Sequence, residues 1–504
     1  MTHPTSDACH PSRLAAVFGV LVLLAGCPAR QATDSSNAAG DNAAKQPLLG
    51  SSLTLLVVGD PELASALRQM EGEWNGQTGG TYQVQSAADQ DPLPEDKLDA
   101  DVVICPSYHL GELAERGAAL PLPDNLLRDA QGKLRDSEGN WPDIFSLVRA
   151  HEASWRGRAI AVPLGSPVLV CYYRADLLER LGRAPPRTWS EYQSLAELLA
   201  DRKNLGDAAP PDDQPWHGAL EPLGPDWGAL VLLARAAAYA THRGNYSTVF
   251  HVDSMDPLID GPPFVRALEE LVAAARVGPS EPEAADPVAV RNAFWAGQCG
   301  MALSWPTAAA KLPGRPSPGF RVGFVELPGA ADVYNVSGRC WEIRREREEP
   351  HVPLLAAAGR IGLISRRSAS PDEACRLLLW LSDDQWSRQT KPVGASSPMT
   401  TLFRHSHTAA PQNWVEDAIP DRVAKAYAEQ TARTLSRERA MLALPIPGRS
   451  QYLAALQHAV HEALHAKLTP EAALRHAAAT WQQLTDRLGR KSQRAAYGHS
   501  VGLQ

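Results

Sequence analysis

Phenylalanine is scarce in this chain of 504 residues, with 8 Phe against 13 Trp and 11 Tyr. A core of this size normally leans on Phe, so part of the excess of flat, amphipathic rings is expected in a cleft, with the rest in the core. Charge of one sign is also lacking. The 49 basic and 57 acidic residues leave a net charge of -8, no sustained Lys/Arg stripe forms, and a nucleic-acid partner is excluded. Beyond the N-terminal segment no apolar run reaches transmembrane length. Cys-x-x-Cys pairs are absent, and the cysteines after residue 27 number five: Cys105, Cys171, Cys299, Cys340 and Cys375. That set implies no disulfide framework and no metal spacing; one bridge stays open, with no pair favoured. Glycine-rich phosphate loops, G-x-S-x-G and persuasive carboxylate pairs are missing too, which removes the common catalytic constellations. What remains is a composition of 44% hydrophobic and 21% charged residues, that of a soluble globular protein. Its length calls for two lobes or domains rather than one core.

The N-terminus is the most legible segment. Arg13 precedes an apolar run from Leu14 to Gly26 that suits a signal h-region and is too short to span a bilayer. The residues Leu24-Ala25-Gly26-Cys27 resemble the lipobox of bacterial lipoproteins. The resemblance implies cleavage before Cys27 and a diacylglycerol on its thiol, so residues 1–26 are expected to be removed. An ordinary signal peptide with a chance cysteine is the alternative, since Arg13 is the only base ahead of the run and Asp7 intrudes. Residues 27–52 are rich in Ala, Ser, Asn and Gln and cannot bury enough surface to offset their ordering entropy, so they read as a flexible tether.

The body opens with a buried strand, Leu53 to Val58, bounded by Gly59. Asp60, Pro61 and Glu62 then supply an N-cap, a first-turn proline and a first-turn acid for a helix carrying Leu63, Leu67, Met70 and Trp74. Further strands are expected at Asp101–Cys105, Ala159–Val162, Val168–Tyr173, Met301–Leu303 and Gly362–Ile364. Capping boxes stand at Thr188–Glu191 and Ser370–Glu373, and Thr469-Pro470-Glu471 starts a late helix. Strands alternating with amphipathic helices predict an α/β architecture with mainly parallel sheets. The polar tail, residues 491–504, is expected to fray.

An ordered series of short motifs resembles the extracellular solute-binding proteins of family 1, the maltose-binding-like partners of ABC importers. Arg156 to Pro163 resembles the family's approach to the first lobe crossing, and Val170 to Leu178 its strand-and-turn with paired tyrosines. Phe294 to Met301 resembles "F-x-x-G-x-x-A-M", Val325 to Gly329 a strand end, and Leu468 to Leu474 the C-terminal "S/T-P-E-E-A-L". Arg174 in place of the usual Asn, and the stretches Leu205–Trp216 and Tyr334–Leu355, depart from the pattern. The resemblance implies a two-lobe, type II periplasmic-binding-protein-like α/β fold, three crossing segments, and hinge closure on a ligand held between the lobes. Mapped here, lobe one takes 53–163 plus 300–364 and lobe two 166–299 plus 370–488. It implies a monomer tethered outside the cell membrane by lipid alone, needing no cofactor, that passes a small polar ligand to ABC importer membrane subunits.

In open α/β sheets ligands sit beyond the C-terminal strand ends, where helix N-termini offer unpaired N–H groups. Asp60, Ser107, Tyr108, Ser166, Trp305 and Arg360 lie at or near such positions, and Trp227 follows the loop Gly224-Pro225-Asp226. Carboxylates accept from sugar hydroxyls and a Trp face stacks on their C–H surface, which leans towards a mono- or oligosaccharide. Asp60 and Ser107 serve equally well as plain helix caps.

Two other readings compete. His461-Glu462-Ala463-Leu464-His465 matches H-E-x-x-H, the zinc-hydrolase motif. Against it, Leu453, Leu456, Val460 and Leu464 form that helix's apolar stripe and turn both histidines to its solvent flank, and no third ligand follows at a suitable separation. A ligand sensor or co-receptor would use the same lobes and anchor. Iron held by Tyr172 and Tyr173 is disfavoured, since strand alternation points them to opposite faces.

Overall fold

The computed structural model describes residues 52–127, 141–307, 319–383 and 398–503. Cys27, the signal segment and nearly all of the tether lie outside the described residues.

The opening apolar run forms β1 (Ser52–Val58), parallel to β2 (Thr81–Ala87) and β3 (Val102–Pro106). Asp60 caps the next helix, Pro61–Thr78, by accepting the Leu63 N–H at 2.8 Å, with Pro61 in the first turn and Gly79 left-handed at the end. β15 (Arg360–Ser365) runs antiparallel to β3, to β4 (Ala119–Leu120) and to β7 (Ala161–Gly165), completing a six-stranded sheet. A second sheet of four strands has the order β11 (Val322–Glu326), β8 (Val170–Arg174), β10 (Cys299–Ser304), β9 (His217–Leu220). In it only β9 and β10 are parallel. Both sheets are thus mixed rather than mainly parallel, because β8 and β15 enter from crossing segments instead of through a βα unit. Smaller pairs are β5 (Ser154–Trp155) with β6 (Arg158–Ala159), β12 (Asp332–Asn335) with β13 (Cys340–Ile343), and β14 (Leu354–Leu355) with β16 (Met441–Leu442).

Each sheet has its own core. Leu55, Val57, Val102 and Ile104 pack under the helices Pro61–Thr78 and Pro371–Ser382. Met301 and Leu303 pack with Trp189, Leu232 and Leu268 from the helices Trp189–Ala200, Gly228–Ala240 and Pro262–Ala275, joined by Arg449–Leu464 and Pro470–Leu488. Three segments pass between the halves: residues 166–169 after β7, residues 356–359 before β15, and the described residues 398–440 ahead of β16.

The expected lobe boundaries differ from this layout. The motif mapping puts 300–364 in lobe one, yet of that span β10 and β11 flank β8 in the second sheet. Conversely, the helix Pro371–Ser382 packs on the first sheet, where Leu378 lies so close to Gly362 that an added Cβ would meet its Cδ2 at 2.1 Å. The tail differs as well. Residues Arg490–Ser500 are a helix whose buried Gln493, Ala496, Tyr497 and Ser500 form one stripe, with Tyr497 against Phe250 at 5.3 Å. Thr188 and Thr469 cap their helices as expected. Ser370 makes no side-chain cap, and its own N–H is taken by the Ser368 hydroxyl at 3.2 Å. All five described cysteines are free thiols, four of them buried. Among the described residues no helix is long and apolar enough to cross a membrane.

Candidate ligand-binding cleft

Between the two halves lies a cavity of about 900 Å³. From the first half, the loop after β2 brings Asp89 and Asp91, the end of β3 brings Tyr108, and the start of β15 brings Arg360. Opposite stand Trp227 ahead of the helix Gly228–Ala240, Glu283, and a flank of the helix Arg449–Leu464 bearing Arg449, Gln457, His458 and His461.

The first wall is a linked set of charges. Asp89 accepts from the Tyr108 hydroxyl, and His109 Nε2 lies 2.8 Å from its other oxygen. Partial burial alone would raise the Asp89 carboxyl. The hydrogen bonds from His109 and Tyr108 and the charges of His109 and Arg360 outweigh it and hold the carboxyl below its ordinary 3.8. Gly59 makes this placement fit: its φ is +70° and a Cβ there would meet the Asp89 Cβ at 3.0 Å. Arg360 donates to the Val58 carbonyl at 2.6 Å and lies 3.4 Å from Asp60 Oδ2.

The far wall reaches across to it. Ser450 N donates to Asp91 at 2.7 Å, and the Arg449 guanidinium sits 3.9 Å from the Tyr108 ring centroid. Gln457 accepts the Ala229 N–H at 2.8 Å, which ties the two helices that carry this wall. Trp227 stands partly exposed on it.

Of the residues chosen from sequence, Tyr108, Trp227 and Arg360 line the cavity. The other four lie behind it. Asp60, buried, caps its helix and faces Arg360. Ser107 donates to Glu152 at 3.1 Å, and Ser166 is buried behind the cavity. Glu152 also accepts the Ala356 N–H at 2.9 Å, so one buried carboxyl joins the end of β3 to the crossing segment before β15. Burial pushes this carboxyl above its ordinary 4.5, despite the hydrogen bonds from Ser107 and the Ala356 N–H. Gly359 makes room, since a Cβ there would lie 2.6 Å from Ser107 Oγ and 2.7 Å from Glu152 Oε1. Trp305 is 4% exposed, backs Trp227 with ring centroids 5.4 Å apart, and faces a separate space of about 30 Å³, too small for a sugar.

Sequence reasoning passed over Asp89, Asp91, Arg449, Gln457 and His458. The acids follow β2, whose alternation of buried Tyr82 and half-buried Val84 with exposed Thr81, Gln83 and Gln85 is the available signal. In the H-E-x-x-H segment Leu456 and Val460 are buried and both imidazoles are partly exposed on the flank. Glu462 turns away to Lys467 at 3.2 Å.

A sequence model described as "Bacterial extracellular solute-binding protein" matches residues 73–386. No curated protein sequence matches the chain. Among solved structures, an ABC transporter solute-binding protein from Agrobacterium radiobacter in complex with ribitol superposes with a TM-score of 0.61 at 19% identity, covering 87% of this chain and all (100%) of that one. Maltose-bound MalE3 of T. maritima gives 0.60 at 20% identity over 86% of this chain and 100% of that one. The sugar-binding protein MalE of Xanthomonas citri gives 0.60 at 17%, over 87% and 98%. At these identities the likeness establishes the fold: α/β, two-lobed, of the type II periplasmic-binding-protein kind.

Proposed function

The chain belongs to the bacterial extracellular solute-binding protein family, and from that premise we propose that it captures a mono- or oligosaccharide in the cleft for an ABC-type importer. The family and its structural neighbours are binding proteins rather than enzymes. The observation that carries the reading is the make-up of the cavity: one partly exposed indole, Trp227, with Arg449 on its own wall, opposite Asp89, Asp91 and Arg360. Indole offers an apolar plane to sugar C–H groups, while oriented carboxylates and arginines bind vicinal hydroxyls in a cavity of sugar size. The neighbours that hold ribitol and maltose support the same class.

In this reading Cys27 carries the lipid, residues 28–52 are the leash, and the monomer works on the outer side of the membrane. The halves close about their three crossing segments, driven by contacts that the solute makes with both walls at once. The site consists of Asp89, Asp91, Tyr108, Trp227, Arg360 and Arg449.

Titration calorimetry with a panel of polyols, monosaccharides and malto-oligosaccharides tests this. Saturable binding of at least one of them, weakened in Trp227→Ala, is expected. Binding of charged amines or phosphates with none to any neutral polyol or sugar would sink the assignment.

A further inference from the structure

We propose that Glu283, His461 and His465 form a binding site for a divalent transition-metal ion of the zinc class at the rim of the cleft. The helix Arg449–Leu464 and its capping residue put the two imidazoles one turn apart on one flank, with ring centroids 4.4 Å apart. The short turn Pro282–Ala284 brings in the third donor that the local motif lacks. Glu283 Oε2 lies 3.0 Å from His461 Nδ1 and 2.8 Å from His465 Nε2. One ligand atom from each residue falls within 4.8 Å of the others, the only such group of three or more His, Cys, Asp or Glu among the described residues.

Two ring nitrogens converge on a single carboxylate oxygen, so without an ion each must donate an N–H to it. A tetrahedral zinc ion about 2.0–2.1 Å from each donor needs the donors about 3.3 Å apart, a few tenths of an ångström beyond the two carboxylate–imidazole distances. Paired imidazoles with one carboxylate favour zinc, nickel, copper or iron over magnesium and calcium, which take oxygen. Three protein donors leave a coordination position to water or to a solute atom, and both Glu283 and His461 line the cavity.

Hydrolysis is not part of the proposal. The base that an H-E-x-x-H enzyme requires, Glu462, is held by Lys467 at 3.2 Å on the helix flank. Lys467 also supplies a distinguishing feature. Its Nζ lies 3.3 Å from His461 Nε2, so the neutral ring donates from Nδ1 to Glu283 and accepts at Nε2. Ligation through Nδ1 moves the ring proton to Nε2, opposite the ammonium. Lys467 therefore opposes the ion, and its half-exposed chain must swing aside.

The test is independent of any sugar. Chelator-stripped protein is titrated with zinc chloride by calorimetry, and bound metal is counted by emission spectroscopy after dialysis. One equivalent is expected, with affinity lowered more than about tenfold by His461→Ala or Glu283→Gln, each removing one of three ligands. His465→Gln keeps an amide donor for Glu283 while losing the ligand, and is expected to bind as weakly with unchanged circular dichroism and melting temperature in EDTA. Lys467→Ala is expected to bind zinc more tightly than the parent. Sub-stoichiometric uptake by the parent, or undiminished uptake by both histidine variants, would overturn the site; sugar binding that persists alongside either result leaves the transport reading standing.

Discussion

The wall of the cleft and the layer just behind it solve different problems with similar residues. On the wall, Asp89 is partly exposed, charged, and held by Tyr108 and His109 beside Arg360. Behind it, Glu152 is fully buried and takes hydrogen bonds from Ser107 and the Ala356 N–H, both neutral donors. The tryptophans divide in the same way: Trp227 stands on the wall, Trp305 backs it. Charge is kept where solvent and solute reach it, and uncharged hydrogen bonding is used where the chain crosses between halves. The wall should therefore govern affinity and the backing layer stability.

That division can be broken, and the largest effect is expected behind the wall. Trp305→Ala removes a buried indole and should lower unfolding free energy by about 4 kcal/mol in urea denaturation; a large loss of sugar affinity at unchanged stability would instead put Trp305 in the site. Glu152→Ala strands the Ser107 hydroxyl and the Ala356 N–H and should cost about 3 kcal/mol, with Glu152→Gln costing much less because it retains an acceptor. Equal losses in the two would mean that shape rather than hydrogen bonding matters there. On the wall, Trp227→Ala should weaken sugar binding by about 2 kcal/mol, roughly thirtyfold, with little change in stability.

The smallest effects are in pH, and their signs are opposite. The folded state raises the Glu152 carboxyl, so its share of stability is complete below the ordinary 4.5 and is lost as pH rises through the raised value. Asp89 is held down, so its share is present above the ordinary 3.8 and is lost as pH falls through the lowered value. Melting temperatures followed from pH 3 to 8 should show a flatter alkaline side in Glu152→Gln and a flatter acid side in Asp89→Asn. The reverse assignment would undo the contrast between the two carboxyls.

The fold was largely legible because its strands are short apolar runs ended by loop and cap signals: β1, β3, β10 and β15 are buried throughout or nearly so. β2 escaped notice because its polar face is exposed, and with it went Asp89 and Asp91. Strand ends pointed to both wall and backing layer without separating them, since Ser107 and Tyr108 are neighbours in sequence and only packing turns one inward to Glu152. Arg449 and His458 come from a helix far along the chain. Its apolar period shows which side is buried, not which polar flank faces the gap. The Arg490–Ser500 helix was hidden by its charge, though Ala496 and Tyr497 carried the buried stripe.

That last helix has a practical consequence for biosensor design. It packs on the second half through Tyr497, while His499 lies 2.8 Å from Glu115 and its ring 6.2 Å from that of Trp155, both in the first half. A fluorophore or fluorescent protein fused behind Gln504 would hang from a strap fastened to both halves. Under the closure proposed above, its signal would follow the approach of the two walls, whereas a purification tag in the same place would load the strap and belongs elsewhere.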